Sequence, residues 1–95
     1  MFVVFLNFAA NKAEAGRFMD SHKAWIKQGF DDGVFLVVGS LKPDGGGGIV
    51  AHNISLPDLQ QRVNEDPFVA EKVVSAEITE IEPARVDDRL EFLAA

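Results

Sequence analysis

Two uninterrupted apolar runs constrain the fold of this chain more than any other feature. Residues 2–6 read Phe-Val-Val-Phe-Leu and residues 34–38 read Val-Phe-Leu-Val-Val. Both runs are short and rich in β-branched and aromatic residues, which favours strands over helices. Because successive side chains of a strand point to opposite faces, strands of this kind need cover on both faces. The runs therefore predict a sheet that is apolar on two sides.

A helix is predicted between the two runs. Asn11, with Glu14 three residues later, is typical of a helix N-cap with its capping partner. Apolar residues recur from there at three- or four-residue spacing, and the helix is predicted to end near Gly29. The first strand, which extends to residue 8, is thus joined to the second strand by a helix.

The rest of the chain repeats this order. The glycine-rich segment 42–48 predicts a hairpin that leads into a third strand over residues 49–54. Ser55 predicts the start of a second helix, which the Asp-Pro pair at residues 66–67 closes. Residues 73–81 alternate between apolar and polar side chains, which predicts a fourth strand.

The βαββαβ order predicts an α+β, ferredoxin-like fold, in which both helices cover one face of an antiparallel four-stranded sheet. Residues 1–95 are predicted to form a single domain. The second sheet face would be a large apolar patch on so small a protein, and a second copy packed sheet against sheet is its predicted cover. For residues 86–93 two alternatives stay open, a terminal helical turn or a segment that packs on a partner.

Composition excludes several functional classes. The chain has 9 Lys and Arg against 15 Asp and Glu, a formal net charge of −6, so its field repels nucleic-acid phosphates and anionic membranes. The absence of cysteine excludes a disulfide, a thiolate nucleophile and a cysteine-ligated metal. The N-terminal apolar run is too short to span a membrane and lacks the features of a secretory signal. A cytoplasmic protein without nucleic-acid or membrane partners is expected.

His22 and Asp66 are the candidates for acid–base chemistry. His22 falls on the apolar stripe of the first helix and is predicted to face inward, where an imidazole can move protons near neutral pH. The alternative is a partly buried histidine that is hydrogen-bonded to the backbone. Asp66 either takes part in chemistry or caps a turn before Pro67.

Other polar positions carry two interpretations each. Ser40, which follows Gly39 at the end of the second strand, either donates a hydrogen bond to a ligand or begins a turn. The glycines at 45–48 lack the lysine and helix of a phosphate cradle and predict a mobile hairpin, in the stronger version a lid. His52 either lines the cavity of the sheet or is structural. The spacing of His22 and His52 matches no metal site, and nothing in the sequence requires a metal or another cofactor.

Aromatic and basic side chains are further candidates for substrate contacts. Four aromatic residues either wall an aromatic pocket or belong to the core: Trp25, Phe18, Phe30 and Phe35. Two arginines either hold an anionic substrate group or are solvated: Arg17 and Arg85. Sequence pattern leaves these alternatives open.

Several motifs together resemble the YCII (YciI-related) family. They are His22 in the first helix, Gly33 followed by the strand at 35–39 that runs into a turn, the glycine-containing hairpin, and the Glu-Asp-Pro-Phe segment at 65–68. The resemblance covers essentially the whole chain in order. It implies a ferredoxin-like homodimer of the dimeric α+β barrel group.

The resemblance also implies a chemistry. One activity associated with the family is dehydrochlorination of a chlorinated hydroxyhydroquinone in aromatic degradation, an elimination that needs no metal. Carried over to this chain, it implies that His22 is the base and acid, that Asp66 fixes its tautomer, and that Ser40 orients a ring hydroxyl. Further substrate contacts are predicted at Gly39, Trp25, Phe35 and Arg17.

The leading hypothesis is therefore a small cofactor-free lyase or isomerase that acts on a hydroxylated, in the narrower version chlorinated, aromatic ring. Its rival is a non-catalytic accessory protein that binds a small ligand, in which His22 and Asp66 only shape a pocket. A haem- or metal-dependent protein of the same fold group is a third alternative, which colour or bound metal in the purified protein would reveal.

Overall fold

The computed structural model describes residues 1–94. One four-stranded antiparallel sheet has the strand order β2-β3-β1-β4. Its strands are β1 (Phe2–Phe8), β2 (Phe35–Ser40), β3 (Gly47–Ala51) and β4 (Val74–Glu80). Helix α1 (Ala15–Asp31) joins β1 to β2, and helices α2 (Leu56–Asn64) and α3 (Pro67–Ala70) join β3 to β4. Two 3₁₀ helices cover Lys12–Glu14 and Asp88–Leu93. The α+β, ferredoxin-like fold predicted from the sequence is confirmed.

The core lies between the sheet and the helices. Phe2, Val4 and Leu6 alternate along β1 as buried residues, and α2 adds the fully buried Leu59 and Val63. Val3 and Phe5, which lie between these residues along β1, are only half-buried. The apolar run of β1 therefore has one face in the core and the other on the outer face of the sheet. Within residues 1–94, none of the helices is both long and apolar enough to cross a membrane.

The C-terminal segment runs beside the outer face of the sheet. Residues 85–93 line a shallow groove together with Leu36, Val37 and Val50. The Phe92 ring lies edge-on to the His52 ring, with centroids 5.4 Å apart. The segment forms the predicted helical turn at Asp88–Leu93, and its packing on a partner stays a prediction.

The first helical segment starts where predicted, but without the predicted capping contact. Asn11 is the N-cap residue of the 3₁₀ turn Lys12–Glu14, which continues directly into α1 at Ala15, yet its side chain makes no capping hydrogen bond. Its side-chain amide donates instead to the carbonyl oxygen of Glu71, at 2.9 Å. A short polar side chain serves whichever backbone group lies within reach, and here a distant segment competes with the local cap. By contrast, Ser55 caps α2 as predicted and accepts from the backbone N–H of Asp58 at 3.2 Å.

The predicted bounds of the third strand were wrong. Strand β3 begins two residues earlier than predicted and ends at Ala51. Gly47 and Gly48 pair with β1 on one side and with the end of β2 on the other. Glycine is unfavourable in isolated strands, but pairing on both sides holds these two in the sheet. Asn53 has a φ of 55°, a left-handed conformation that no strand can continue through.

A glycine in α1 allows the helix to lie close to β2. Gly29 is buried, and a Cβ atom built at this position overlaps the ring of Phe35. That ring is itself held in the core by edge-on contacts with the rings of Trp25 and Phe30. A side chain at residue 29 therefore has to push the helix away from the sheet.

We expect Gly29→Ala to lower the free energy of unfolding by about 1–3 kcal/mol, because it overpacks the contact with Phe35. The matched control is Gly16→Ala in the same helix, where an added Cβ meets no atom within 4 Å. This control should leave stability unchanged or raise it by up to about 1 kcal/mol through helix propensity. Urea unfolding measures both variants, and equal stabilities would contradict the close approach.

Candidate functional site

The break between α2 and α3 positions a buried carboxylate. Asp66 precedes Pro67 and takes an extended backbone conformation (φ −60°, ψ 123°), which separates the two helices. It is also the N-cap of α3, where its Oδ1 accepts from the backbone N–H of Phe68 at 3.0 Å. The side chain is completely buried. A local turn signal thus places a charged group inside the protein.

Helix α1 brings an imidazole to this carboxylate. His22 Nδ1 lies 2.7 Å from Asp66 Oδ1, although the two residues are 44 positions apart. Because an ionised carboxylate only accepts hydrogen bonds, the Nδ1–H of His22 donates, and in a neutral ring Nε2 then keeps its lone pair. The Phe68 ring stacks on the imidazole, with centroids 3.9 Å apart and planes 2° apart. The tautomer and the ring orientation are both determined by these contacts.

The carboxylate depends on this histidine. Both donors to Asp66, the imidazole of His22 and the backbone of Phe68, bind Oδ1, while Oδ2 is buried and has no partner among residues 1–94. A buried charge is costly unless it is paired and hydrogen-bonded. Without His22, a single neutral backbone donor would be left to compensate it.

His22 faces a cavity of about 340 Å³ between the sheet and α1. The cavity exceeds the 150 Å³ or so that is enough for benzene, so a substituted single ring fits. Gly46, Gly47 and Gly48 form part of its wall and leave the space open. Most of the other walls are apolar and come from both layers of the fold: Leu6, Phe8, Met19, Ile26, Val38 and Phe68.

Three of the predicted site residues line this cavity. They are His22, Gly39 and Ser40, and Asp66 lies behind His22. Ser40 is the only wall residue with a side-chain hydroxyl in the part of the chain that the structure describes. The cavity therefore combines one imidazole and one hydroxyl with apolar walls, an arrangement that orients a ring with few polar substituents.

Trp25 lies outside the cavity. Its Nε1–H donates to the carbonyl oxygen of Arg62 at 3.0 Å, and its ring faces a separate, more polar depression. In that depression, Gln28 and Arg62 donate to Asp32 and hold the pKa of the Asp32 carboxyl below its ordinary value. Among residues 1–94, no histidine lines this depression.

The other predicted substrate contacts also lie elsewhere. Phe35 is in the core beside Gly29, and Arg17 is exposed with its guanidinium 5.3 Å from the ring of Phe18. Arg85 lines the groove beside the C-terminal segment, and His52 packs against Phe92. The structure thus brings His22, Asp66, Ser40 and Gly39 together at the cavity. Trp25 lies next to the imidazole, with ring centroids 6.1 Å apart, but does not line the cavity.

Sequence reasoning did not select most of the side chains that line the cavity, among them Phe8, Met19, Lys23 and Phe68. Phe68 follows Asp66 by two positions, so the turn that buries the carboxylate also delivers the ring, and this proximity was a usable signal. Lys23 follows His22 directly, and a lysine on a helix is typical of a solvated surface. Nothing in the sequence indicates that Phe8, at the end of β1, reaches the same cavity.

Comparison with known proteins shows a similarity in fold but no match in sequence. No protein-family model matches the chain, and no curated protein matches it by sequence. Among solved structures, it is similar to 5-chloro-2-hydroxyhydroquinone dehydrochlorinase (TftG) from Burkholderia phenoliruptrix AC1100 in complex with 2,5-dihydroxybenzoquinone. The TM-score is 0.68 at 13% identity, over 85% of this chain and 93% of that chain. The similarity shows the fold.

Among residues 1–94, no group of three or more His, Cys, Asp or Glu side chains is arranged to hold a metal ion. The ionisable groups at the cavity are limited to His22, with Asp66 behind it, and Lys23. What this arrangement can do is accept, hold and return a proton at His22 Nε2.

Two substitutions of Asp66 separate its roles in stability. Asp66→Ala removes both the cap of α3 and the partner of His22, so the free energy of unfolding should fall by about 2–5 kcal/mol. Asp66→Asn keeps an oxygen that accepts from Phe68 and His22, so its loss should be clearly smaller. Chemical denaturation compares the two variants, and equal losses would show that the accepting oxygen does not matter.

Proposed function

We propose that this protein is a small cofactor-free lyase in which His22 and Asp66 perform general acid–base chemistry on a hydroxylated aromatic ring. The observation that carries the proposal is the 2.7 Å contact between His22 Nδ1 and the buried Asp66 Oδ1 at the wall of an apolar cavity. A carboxylate that holds Nδ1–H presents Nε2 to a ligand as a proton acceptor.

The cavity supports an aromatic substrate. Its apolar walls suit a ring, and the ring of Phe68 already stacks on the imidazole, so a planar ligand finds flat neighbours. Ser40 provides a hydroxyl that can hydrogen-bond to a ring substituent. A ring placed between His22 and Ser40 would bring one of its hydroxyl groups to Nε2.

The narrower proposal is elimination of chloride. His22 Nε2 takes the proton of a ring hydroxyl and delivers it to the carbon that bears chlorine, which gives the keto tautomer. The C–Cl bond then breaks, chloride leaves with the bonding pair, and a second hydroxyl proton is lost, so that HCl is eliminated and a quinone remains. Support comes from the similar fold of TftG, a named dehydrochlorinase solved with a dihydroxybenzoquinone.

The test is chloride release from 5-chloro-2-hydroxyhydroquinone, corrected for its spontaneous reaction. His22→Asn keeps a group that can donate to Asp66 but has no base, and Asp66→Asn keeps the cap but not the charge. Each should slow turnover by about 10²–10⁴-fold. The matched control is His52→Asn, since His52 packs on Phe92 away from the cavity, and its turnover should be unchanged.

If the folded His22→Asn variant turns over as fast as the unmodified protein, the proposal is wrong. A second function, binding of an aromatic ligand without catalysis, is favoured by the mainly apolar lining of the cavity. That function would show as ring binding by the unmodified protein without chloride release.

We also propose that two copies pair through the outer faces of their sheets. Val3 and Phe5 are half-buried on this face, Val37 is 58% exposed, and the neighbouring Leu90 and Phe92 are exposed as well. Apolar side chains in this number on one face favour a second copy of the same face as the cover.

The pairing is tested by sedimentation at low micromolar concentration, where twice the chain mass of 10.4 kDa is expected. Val37→Asp should shift the protein towards the single-chain mass, because it places a charge in the apolar contact. Leu56→Asp, at an exposed position on α2, is the control and should leave the mass unchanged. A single-chain mass for the unmodified protein would rule out the pairing.

A further inference from the structure

We propose that Lys23 recognises a negative charge on the ligand, so that the cavity selects an aromatic ring with an ionised oxygen substituent over the neutral ring. This inference rests on the proposed function, because it specifies the charge of the ring that the cavity takes. The ionised group is a phenolate, the ionised form of a ring hydroxyl.

The cavity has a cation and no anion in its wall. In the part of the chain that the structure describes, Lys23 and His22 are the only ionisable residues that line it. Asp66 lies behind the imidazole, and its charge is already engaged there at 2.7 Å. An anionic ligand therefore meets attraction from Lys23 without an opposing carboxylate in the wall.

Lys23 is also uncommitted. Lys27, one turn later on α1, pairs with Asp31 at 2.7 Å, and Arg62 pairs with Asp32 at 2.9 Å, but Lys23 forms no salt bridge within residues 1–94. The side chain is exposed and also lines the cavity, so it borders both the cavity and solvent. A long side chain of this kind can bring its cation to a ligand in the cavity.

The charge of the whole protein makes a local cation necessary for such a ligand. With a net charge of −6, the chain as a whole repels anions. A ring that carries an ionised oxygen loses hydration as it enters apolar walls, and only a nearby cation or donor compensates this loss. Lys23 supplies the cation, and Ser40 supplies a donor on another part of the wall.

An ionised ring oxygen also favours the proposed elimination. An ionised ring oxygen pushes its electron pair into the ring and makes the ring carbons more basic. His22, after it takes the proton of a second ring hydroxyl, then protonates the chlorine-bearing carbon more easily. The same cation stabilises the ring oxygen if it loses its proton to His22 Nε2 inside the cavity.

Calorimetric titration with two rings of similar shape tests the inference. Pentafluorophenol is ionised at neutral pH, whereas phenol keeps its proton. Lys23→Gln should weaken binding of pentafluorophenol by about three- to tenfold, the size expected for a partly exposed charge, and leave phenol unchanged. Lys23→Arg should retain the preference, and added salt should weaken pentafluorophenol binding only where the cation is present.

Lys27→Gln is the matched control, since it removes a lysine from the same helix outside the cavity, and it should bind both rings as the unmodified protein does. Equal pentafluorophenol affinity in Lys23→Gln and the unmodified protein would overturn the inference, while phenol binding would leave the aromatic site standing. If the unmodified protein binds neither ring, the inference falls, and chloride release decides on the lyase separately. Binding that depends on Lys23 without chloride release would contradict the lyase and leave the recognition of charge intact.

Discussion

The contact between His22 and Asp66 is the interaction on which the rest of the site depends. A buried carboxylate is tolerated only where donors compensate its lost hydration, and here both donors meet one oxygen. The contact joins the middle of α1 to the start of α3, and the same oxygen caps α3. The Asp66 carboxylate therefore serves both folding and chemistry. For this reason, both Asp66→Asn and Asp66→Ala are needed to separate the two roles.

One part of the wall of the cavity in front of His22 is backbone without side chains. Gly46, Gly47 and Gly48 form this part, and larger residues of β1 and α1 form other parts of the wall. Substitution at Gly46 is strained, since its φ is 90° and an added Cβ would overlap the carbonyl oxygen of Leu6. The glycine segment thus has a packing role that is distinct from the flexibility predicted for it.

The evidence for the fold differs from the evidence for the chemistry. A TM-score of 0.68 at 13% identity shows that a common backbone arrangement is kept while most side chains differ. One fold supports many functions, so the proposal for this chain is argued from its own imidazole, carboxylate, hydroxyl and lysine. These groups lie at one end of the sheet, where the ends of β1 and β2 meet the start of β3.

By itself, the sequence determined the elements whose signals are local. The apolar runs specify β1 and β2, Ser55 specifies the start of α2, and helical periodicity places His22 on the inner face of α1, because alternation and periodicity follow from backbone geometry. Tertiary structure decided what depends on distant segments. It diverted the Asn11 side chain to Glu71, held Gly47 and Gly48 in β3 by pairing on both sides, and left Trp25, Phe35 and Arg17 away from the cavity. It also brought His22 to Asp66 across 44 residues, a contact that only the packing of α1 against α3 can create.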